Sequence, residues 1–503
     1  MRRRRITALA TLAMLSLFTL AAGVTVARML PPRLAALHIP VAAARPVVRA
    51  GTVLNPVPAA RFPPAPSPAA TQATAGLPTA AGLAALVAAT LPDSKVGPQL
   101  GVEVADAGTG EVLYSDNAQT LATPASTTKV ATAVAALAVL GPNARFRTSV
   151  RQGSDGIVLV GGGDPTLAVN GYPPSAYPRP ATLAALAAST ARALAAKGRR
   201  SVRLSYDTSL YSGADMAPGW SDALISSGNV TAIVALEADQ GRLTRGGALE
   251  DSDNPVNYTA RTTDPVGLTV SAFANLLRRD GITVSGSPSP GTAPPGAPTL
   301  ASVSSPPLTQ LVQQMLQESN NVIAENLARH VAIAEGKPAT FGGAADAVMT
   351  ELRRLGVTTG ISLVDGSGLS PDDAIAPQTL VRILALAASP GAPRLRPAIT
   401  GLPVAGFNGT LSSGNSVFGA IGGAARGAAR GVVRAKTGNL ATVATLAGLV
   451  YDRDGRLLIF AIMAPQVPGV AMLPAAAGAI NAAAAGLADC GCRLVAPSRT
   501  VGL

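Results

Sequence analysis

Lysine is scarce in this chain, and two of its lysines belong to short motifs that also carry a hydroxyl residue. The sequence has five lysines against 35 arginines. Lys129 closes an SxxK motif that begins at Ser126, and Lys436 opens a KTG motif. A guanidinium keeps its proton in a protein, whereas a lysine amine removed from water can lose its proton and act as a base. The retained lysines therefore predict a serine enzyme with a lysine base.

The first motif stands at the start of a predicted helix. An apolar segment with helical period follows Ser126 and runs to Leu140, where Gly141 and a proline end it. The serine thus lies at a helix N-terminus, where the helix dipole favours developing negative charge. Lys129 comes one turn later on the same face, within reach of the serine oxygen. This spacing predicts a nucleophile and its base.

The second polar group is Ser319-Asn320-Asn321, inside a segment with helical signals from Leu308 to Ala334. Ser319 and Asn321 are two residues apart, which suits a short loop or a helix start that turns both side chains into one cleft. We expect Ser319 to relay a proton and Asn321 to hold a substrate amide.

The third motif stands at the end of a predicted strand. Lys436 and Thr437 lie where a strand edge can align an extended peptide. Gly438 completes the motif. The backbone N–H groups of Ser126 and Asn439 are predicted to form an oxyanion hole.

Each motif alone has an ordinary structural explanation, namely a helix N-cap, a polar helix face and a strand end. Their order along the chain, with so few lysines available, favours one shared active site. No metal and no cofactor is expected. Cys490 and Cys492 are only two ligands, whether bridged or not, and His38 and His330 lie far from them in sequence. His330 reads as a partly exposed helix residue, which argues against a serine-histidine-acid triad.

The N-terminus predicts export. Arg2 to Arg5 precede 22 uncharged residues, which is long enough to span a bilayer. The arginines stay cytoplasmic, so the rest of the chain lies outside. An uncleaved membrane anchor is favoured, with cleavage after Ala27 as the alternative. A Pro/Ala-rich, semi-extended linker follows up to about Ala80.

The net charge of +12 belongs to the N-terminal tail. Residues 1–92 hold nine arginines and no acidic residue, whereas residues 93–503 carry 31 basic against 28 acidic residues. Aromatic residues make up 3% of the chain and do not alternate with basic ones. A nucleic-acid partner is therefore not expected.

The three motifs together resemble the penicillin-binding protein and serine β-lactamase superfamily. Ser319 lies 190 positions after Lys129, and this long separation of the first two motifs resembles the low-molecular-mass class C penicillin-binding proteins. These are D-alanyl-D-alanine carboxypeptidases and endopeptidases with a double domain inserted between the first two motifs. The stretches 162–167, 365–370 and 402–411 resemble the same family, and the resemblance covers about residues 80–490.

The resemblance implies an α/β (α+β) fold of the penicillin-binding-protein/serine β-lactamase type. An antiparallel sheet flanked by helices is expected, with a mainly β inserted region. The expected organisation is a signal peptide or membrane anchor at 1–28, a linker at 29–79, the first part of a transpeptidase-like domain at 80–145, an inserted double domain at 146–305, the second part at 306–495 and a tail at 496–503.

The resemblance also implies a role for each motif residue. These roles are the acylated nucleophile Ser126, its base Lys129, the second-motif residues Ser319 and Asn321, and the carboxylate-binding residues Lys436 and Thr437, with Gly438 and Asn439 completing the site. Asn439 stands where threonine or serine is usual, but only its backbone is used. The implied partners are peptidoglycan stem peptides, β-lactams as inhibitors, and the membrane through the N-terminal segment.

Two positions concern the third residue of the stem peptide. The resemblance implies that Asp164 contacts the free amine of a diaminopimelate side chain, while the alternative is that this aspartate caps its own glycine turn. Pro371 stands where some members carry an arginine for the diaminopimelate carboxylate, which favours an amidated side chain. A β-lactamase and a non-catalytic wall-binding scaffold are the alternative functions.

Overall fold

The computed structural model describes residues 76–171, 177–243, 259–412 and 429–489. The predicted signal or anchor, nearly all of the linker, and both cysteines lie outside the described residues. The described strands are β1 (Gly101–Asp106), β2 (Val112–Asp116), β3 (Arg147–Gln152), β4 (Gly156–Val160), β5 (Ser201–Asp207), β6 (Thr283–Val284), β7 (Ser289–Pro290), β8 (Thr299–Ser304), β9 (Ile361–Ser362), β10 (Ala374–Ile375), β11 (Val433–Leu440), β12 (Val443–Tyr451) and β13 (Leu457–Ala464).

Helices cover both faces of the main sheet and link its strands. The described helices are α1 (Ala80–Thr90), α2 (Asp93–Val96), α3 (Thr128–Leu140), α4 (Leu183–Ala195), α5 (Ala223–Ser226), α6 (Pro265–Arg279), α7 (Leu308–Glu318), α8 (Asn321–Ala334), α9 (Phe341–Arg354), α10 (Pro377–Ala388), α11 (Pro397–Thr400) and α12 (Leu473–Asp489).

The main sheet has five antiparallel strands in the order β11-β12-β13-β1-β2. Its third strand, β13, is apolar along its whole length and is buried on both faces. Phe460 and Ile462 point towards α1 and α12, whereas Ile459 and Ala461 point towards the other helices. The predicted antiparallel sheet flanked by helices is therefore present.

Helix α3 runs through the middle of the larger helical layer. Eleven of its 13 residues are buried, and it contacts α8 and α9. The helix ends at Leu140 with Gly141 as its C-cap, as the sequence predicts. Because α3 is packed on all sides, the residues at its N-terminus have a fixed position.

The helical signal from 308 to 334 resolves into two helices. Ser319 ends α7 with a left-handed backbone, φ 57°, and the Asn320 side chain then caps α8 by accepting a hydrogen bond from the Ile323 N–H at 3.1 Å. An asparagine side chain can hydrogen-bond to nearby backbone groups in place of the helical hydrogen bonds. This favours the break between the two helices at this point. Ser319 and Asn321 therefore lie at a helix junction.

The segment between α3 and α7 builds a second sheet in the order β6-β5-β4-β3-β8, with β7 beside β5. Strands β4, β5 and β6 are parallel. A parallel pair needs a crossover connection, and α4 and α6 supply these helices and share a core with the sheet. This region was expected to be mainly β, and the structure adds two long helices that the sequence analysis did not predict.

The two ends of this second unit meet at Phe146 and Ser305. The Phe146 N–H donates to Ser305 Oγ at 2.9 Å, and the Ser305 N–H donates to the Phe146 carbonyl at 2.8 Å. Entry and exit of the chain are therefore adjacent, as an insertion requires. The domain boundaries themselves stay a prediction.

Within the described residues, one helix is long and apolar enough to cross a membrane, Val470–Asp489. Half of its most apolar window is buried inside the protein. Ala476 and Ile480 belong to the core that α12 shares with the main sheet and α1. Its apolar character is thus accounted for by packing.

Candidate active site

Ser126 lies in a single 3-10 turn, Ala125–Thr127, immediately before α3. Ala125 takes a positive φ of 48° there, and the serine side chain remains partly exposed. Lys129 is fully buried in the first turn of α3, with its Nζ 2.8 Å from Ser126 Oγ. The helix thus brings the two predicted partners together as their spacing requires.

The buried Lys129 amine has three oxygen neighbours. Its Nζ lies 2.6 Å from Asn321 Oδ1, 2.7 Å from the Ser367 carbonyl and 2.8 Å from Ser126 Oγ. The amide and carbonyl oxygens can only accept hydrogen bonds, so they use two N–H groups. A neutral amine then has one lone pair left, and it faces the serine hydroxyl. This arrangement matches an unprotonated lysine ready to take a proton.

Burial supplies the reason why Lys129 can be unprotonated. Loss of solvation lowers the pKa of Lys129 to about 7, although the nearby carboxyl groups of Asp365, Glu325 and Asp373 act in the opposite direction. A base with a pKa near the operating pH combines availability with proton affinity. The lysine is therefore suited to general-base catalysis near neutrality.

The second motif contacts both lysines. Asn321, the first residue of α8, accepts from Lys129, and its Nδ2 donates to the Asn229 carbonyl of the inserted unit at 2.8 Å. Ser319 Oγ accepts a hydrogen bond of 2.9 Å from Lys436 Nζ. The helix junction therefore places one side chain at each lysine.

The third motif lies on β11. Lys436 is fully buried, and its Nζ also donates to the Thr437 carbonyl at 2.8 Å. Burial, and then the charge of Lys129, hold the pKa of Lys436 well below its usual value. The hydroxyls of Thr437 and Thr410 are 2.8 Å apart. An amine and two hydroxyl groups therefore stand at the end of this strand.

Gly438 allows β11 to approach the backbone of Ser126. A Cβ at this position would lie 2.2 Å from Thr445 Oγ1, 2.7 Å from the Pro124 carbonyl oxygen and 3.0 Å from Ser126 N. Such contacts are too short for any side chain. Asn439 follows as an exposed residue of the strand. The residue before Asn439 thus lies against the Ser126 backbone, and the oxyanion hole stays a prediction.

Asp164 is buried in its own turn, and the substrate contact that the resemblance implies stays a prediction. Its side chain is 3% exposed, and Oδ1 accepts from Thr166 N at 2.9 Å and from Thr166 Oγ1 at 2.7 Å. Burial raises the pKa of Asp164 to about 6. The carboxyl group caps its own turn, which is the alternative that the glycine-rich sequence allowed.

His330 is buried, not partly exposed. Its ring stacks on Phe146 with centroids 3.6 Å apart, and Nε2 lies 3.0 Å from the Gly163 carbonyl. Burial lowers the pKa of His330 to about 4, so it is a neutral packing residue. Among the described residues, no group of three or more histidine, cysteine, aspartate or glutamate side chains is placed to hold a metal ion.

Several groups of the site escaped sequence reasoning. The Ser367 carbonyl accepts a hydrogen bond from Lys129, and the Asn229 carbonyl accepts one from Asn321. The Thr410 hydroxyl accepts one from Thr437. Backbone carbonyls have no signature in a sequence. The Asp365–Ser370 stretch was visible only as a resemblance, without a role.

The sequence matches the D-Ala-D-Ala carboxypeptidase 3 (S13) family over residues 83–245 and 225–485. The chain belongs to this family. It is 38% identical over 446 residues to Carboxypeptidase DacB of Mycolicibacterium smegmatis, covering 86% of this chain and 90% of that protein. It is 29% identical over 434 residues to a D-alanyl-D-alanine carboxypeptidase of an Actinomadura species, covering 71% and 76%. The chain is a serine-type D-Ala-D-Ala carboxypeptidase of this family, as the motifs predict.

The fold has a known counterpart in penicillin binding protein 4 from Haemophilus influenzae. The two structures superpose with a TM-score of 0.61 at 24% sequence identity, covering 76% of this chain and 92% of that chain. The predicted fold class is thereby confirmed.

Gly438→Ala should lower the rate of acylation by penicillin about 10²-fold. The added Cβ forces β11 away from Ser126, and a displacement of about 1 Å in a catalytic site costs roughly that factor. The measurement is the second-order rate constant for adduct formation, with the melting temperature recorded in parallel.

The matched control is Gly478→Ala on α12, where a Cβ meets open space. That substitution should leave acylation unchanged and raise stability by about 0.5–1 kcal/mol, since glycine weakens a helix interior. Acylation of Gly438→Ala at the normal rate would show that the strand does not need this close approach.

Proposed function

We propose that the protein cleaves peptidoglycan stem peptides through an acyl-enzyme on Ser126, outside the cytoplasm. The observation that carries this proposal is the buried Lys129 amine, whose Nζ lies 2.8 Å from Ser126 Oγ and is held by two further acceptors. The same attack on a β-lactam carbonyl would leave the serine acylated and the enzyme inhibited.

The reaction begins when Lys129 takes the hydroxyl proton of Ser126. The serine oxygen forms a bond to the carbonyl carbon of the penultimate D-alanine, and the backbone N–H groups of Ser126 and Asn439 stabilise the oxyanion. The peptide C–N bond then breaks, and the proton held at Lys129 passes to the leaving amine. Water hydrolyses the ester and restores the serine.

The leaving amine decides the outcome. When it belongs to a terminal D-alanine, the reaction is a carboxypeptidase cleavage, and when it belongs to a neighbouring stem, the same step is an endopeptidase cleavage. Ser319, which accepts a hydrogen bond from Lys436, is proposed to relay the proton towards this group.

Lys436 and Thr437 bind the terminal carboxylate in this proposal. The carboxylate would raise the pKa of Lys436, since an opposite charge favours the ammonium form. A cation at Lys436 in turn disfavours a proton on Lys129. Substrate binding would thus help to keep the base neutral.

The third stem residue is proposed to carry no free carboxylate. Pro371 is exposed and cannot supply a cation, and the exposed residue after it is Asp372. An acidic group here would repel a carboxylate and accept an amidated side chain more readily.

Ser126→Ala should abolish covalent labelling by fluorescent penicillin and cleavage of defined cross-linked muropeptides. Ser302→Ala, an exposed serine on β8, should leave both unchanged. The wild-type protein should retain the label, whereas a β-lactamase would release it and a scaffold would not take it. A peptide adduct mapped to another serine would refute the assignment of the nucleophile.

Lys129→Arg should lower cleavage by about 10²–10⁴-fold, because a guanidinium cannot accept the serine proton. Lys436→Arg should be milder, since a permanent charge still binds a carboxylate. Wild-type acylation should rise with pH around 7, following deprotonation of Lys129. Lys337→Arg, in a surface pair with Asp346, is the control. Equal tolerance of both active-site substitutions would exclude the base role.

The N-terminal segment is proposed to hold the protein at the membrane. Arg2 to Arg5 and the 22 uncharged residues after them support this. The full chain should fractionate with membranes, whereas a chain beginning near Ala80 should be soluble and active. Recovery of the protein only from the culture fluid, with its N-terminus near Arg28, would instead indicate a cleaved signal.

A further inference from the structure

Glu325 is a fully buried acid one helical turn beyond Asn321 on α8. Residues four apart share a helix face, so both side chains point towards α3 and the loop 365–370. Asn321 contacts Lys129 directly. Glu325 reaches the same lysine through the loop.

The Glu325 carboxyl group holds one peptide of that loop. Both of its oxygens lie 3.1 Å from the Gly366 N–H, and the Gly366 carbonyl accepts from Thr132 Oγ1 at 2.6 Å. The next carbonyl, that of Ser367, accepts from Lys129 Nζ at 2.7 Å.

The loop is pressed against α8 at this point. A Cβ on Gly366 would lie 2.6 Å from the Ala328 Cβ and 3.2 Å from the Ala324 carbonyl oxygen. Asp365 fixes the other side of the loop by accepting from Ser367 N at 2.9 Å and from Gly368 N at 2.6 Å. The Ser367 carbonyl therefore has little freedom as long as its tethers are intact.

We propose that Glu325 is a positioning residue for the Lys129 base, because it fixes the peptide whose Ser367 carbonyl binds one N–H of the amine. With that carbonyl in place, the lone pair of Lys129 faces Ser126. Without it, the amine can rotate and offer an N–H to the hydroxyl instead. This inference rests on the proposed roles of Ser126 and Lys129.

A side chain of the same shape as Glu325 should be able to take over this role. Burial, followed by the negative charge of Asp365, raises the pKa of Glu325 to about 8, against a smaller opposing effect of Arg329. A carboxamide has nearly the same shape and keeps an acceptor oxygen for the Gly366 N–H. Glutamine should therefore replace it, whereas alanine should not.

Glu325→Ala should lower the acylation rate constant for penicillin about 10²-fold at pH 7, the factor expected for a misplaced catalytic group. The dissociation constant of the initial penicillin complex should stay unchanged, because Lys436 and Thr437 are untouched. Glu325→Gln should acylate within about threefold of wild type. Stopped-flow measurement at several penicillin concentrations separates the two constants.

Glu325→Met replaces the alanine variant if that variant fails to fold, since it keeps the side-chain length and removes the acceptor. Glu351→Ala is the matched control, a buried glutamate on α9 that pairs with Arg354, and it should acylate normally. Acylation at the wild-type rate in Glu325→Ala or Glu325→Met would overturn the inference. So would equal losses in the alanine and glutamine variants, or a loss confined to the dissociation constant. A wild-type protein that penicillin does not acylate would instead refute the proposed function.

Discussion

The burial of one lysine amine is the constraint on which the rest of the site depends. Lys129 is fully enclosed, and a buried ammonium without a counter-ion is costly. Burial lowers the pKa of Lys129 to about 7, so the amine can lose its proton. Two acceptors then bind the N–H groups of the neutral amine. With these two acceptors using its N–H groups, a neutral amine has one lone pair left for the Ser126 hydroxyl at 2.8 Å. The two acceptors that limit the cost of this burial therefore also prepare the base.

The two acceptors come from different parts of the chain, which ties the inserted unit to the catalytic residues. Asn321 is oriented by the Asn229 carbonyl, and Trp220 of the same unit donates to Asp365 Oδ2 at 2.8 Å. Asp365 in turn caps the loop that carries the second acceptor, Ser367. The insertion thus contributes to the geometry around Lys129, even though Asp164, its predicted substrate contact, is buried in a turn.

The pairing of Ser126 with Lys129 could be predicted from the sequence because a helix fixes the distance between them. The small number of lysines in the chain drew attention to both lysine motifs. The antiparallel main sheet was expected from the resemblance, and its strands are largely apolar. A short loop or helix start at Ser319 and Asn321 was expected from their spacing, and the structure shows a helix end and a helix start there, with Asn320 as the cap. Backbone acceptors and the burial of Asp164 depend on tertiary packing, which local pattern does not encode.

The two buried lysines of the site have different proposed roles. Each ammonium disfavours the other, so the electrostatics favour a single charge, and the neighbours of each amine decide where it resides. Lys129 has two acceptors and a hydroxyl, which suits a neutral amine, whereas Lys436 lies where a substrate carboxylate would stabilise a cation. An arginine is compatible with the second environment but not with the first. A chain that uses arginine almost everywhere else therefore needs lysine most strictly at position 129.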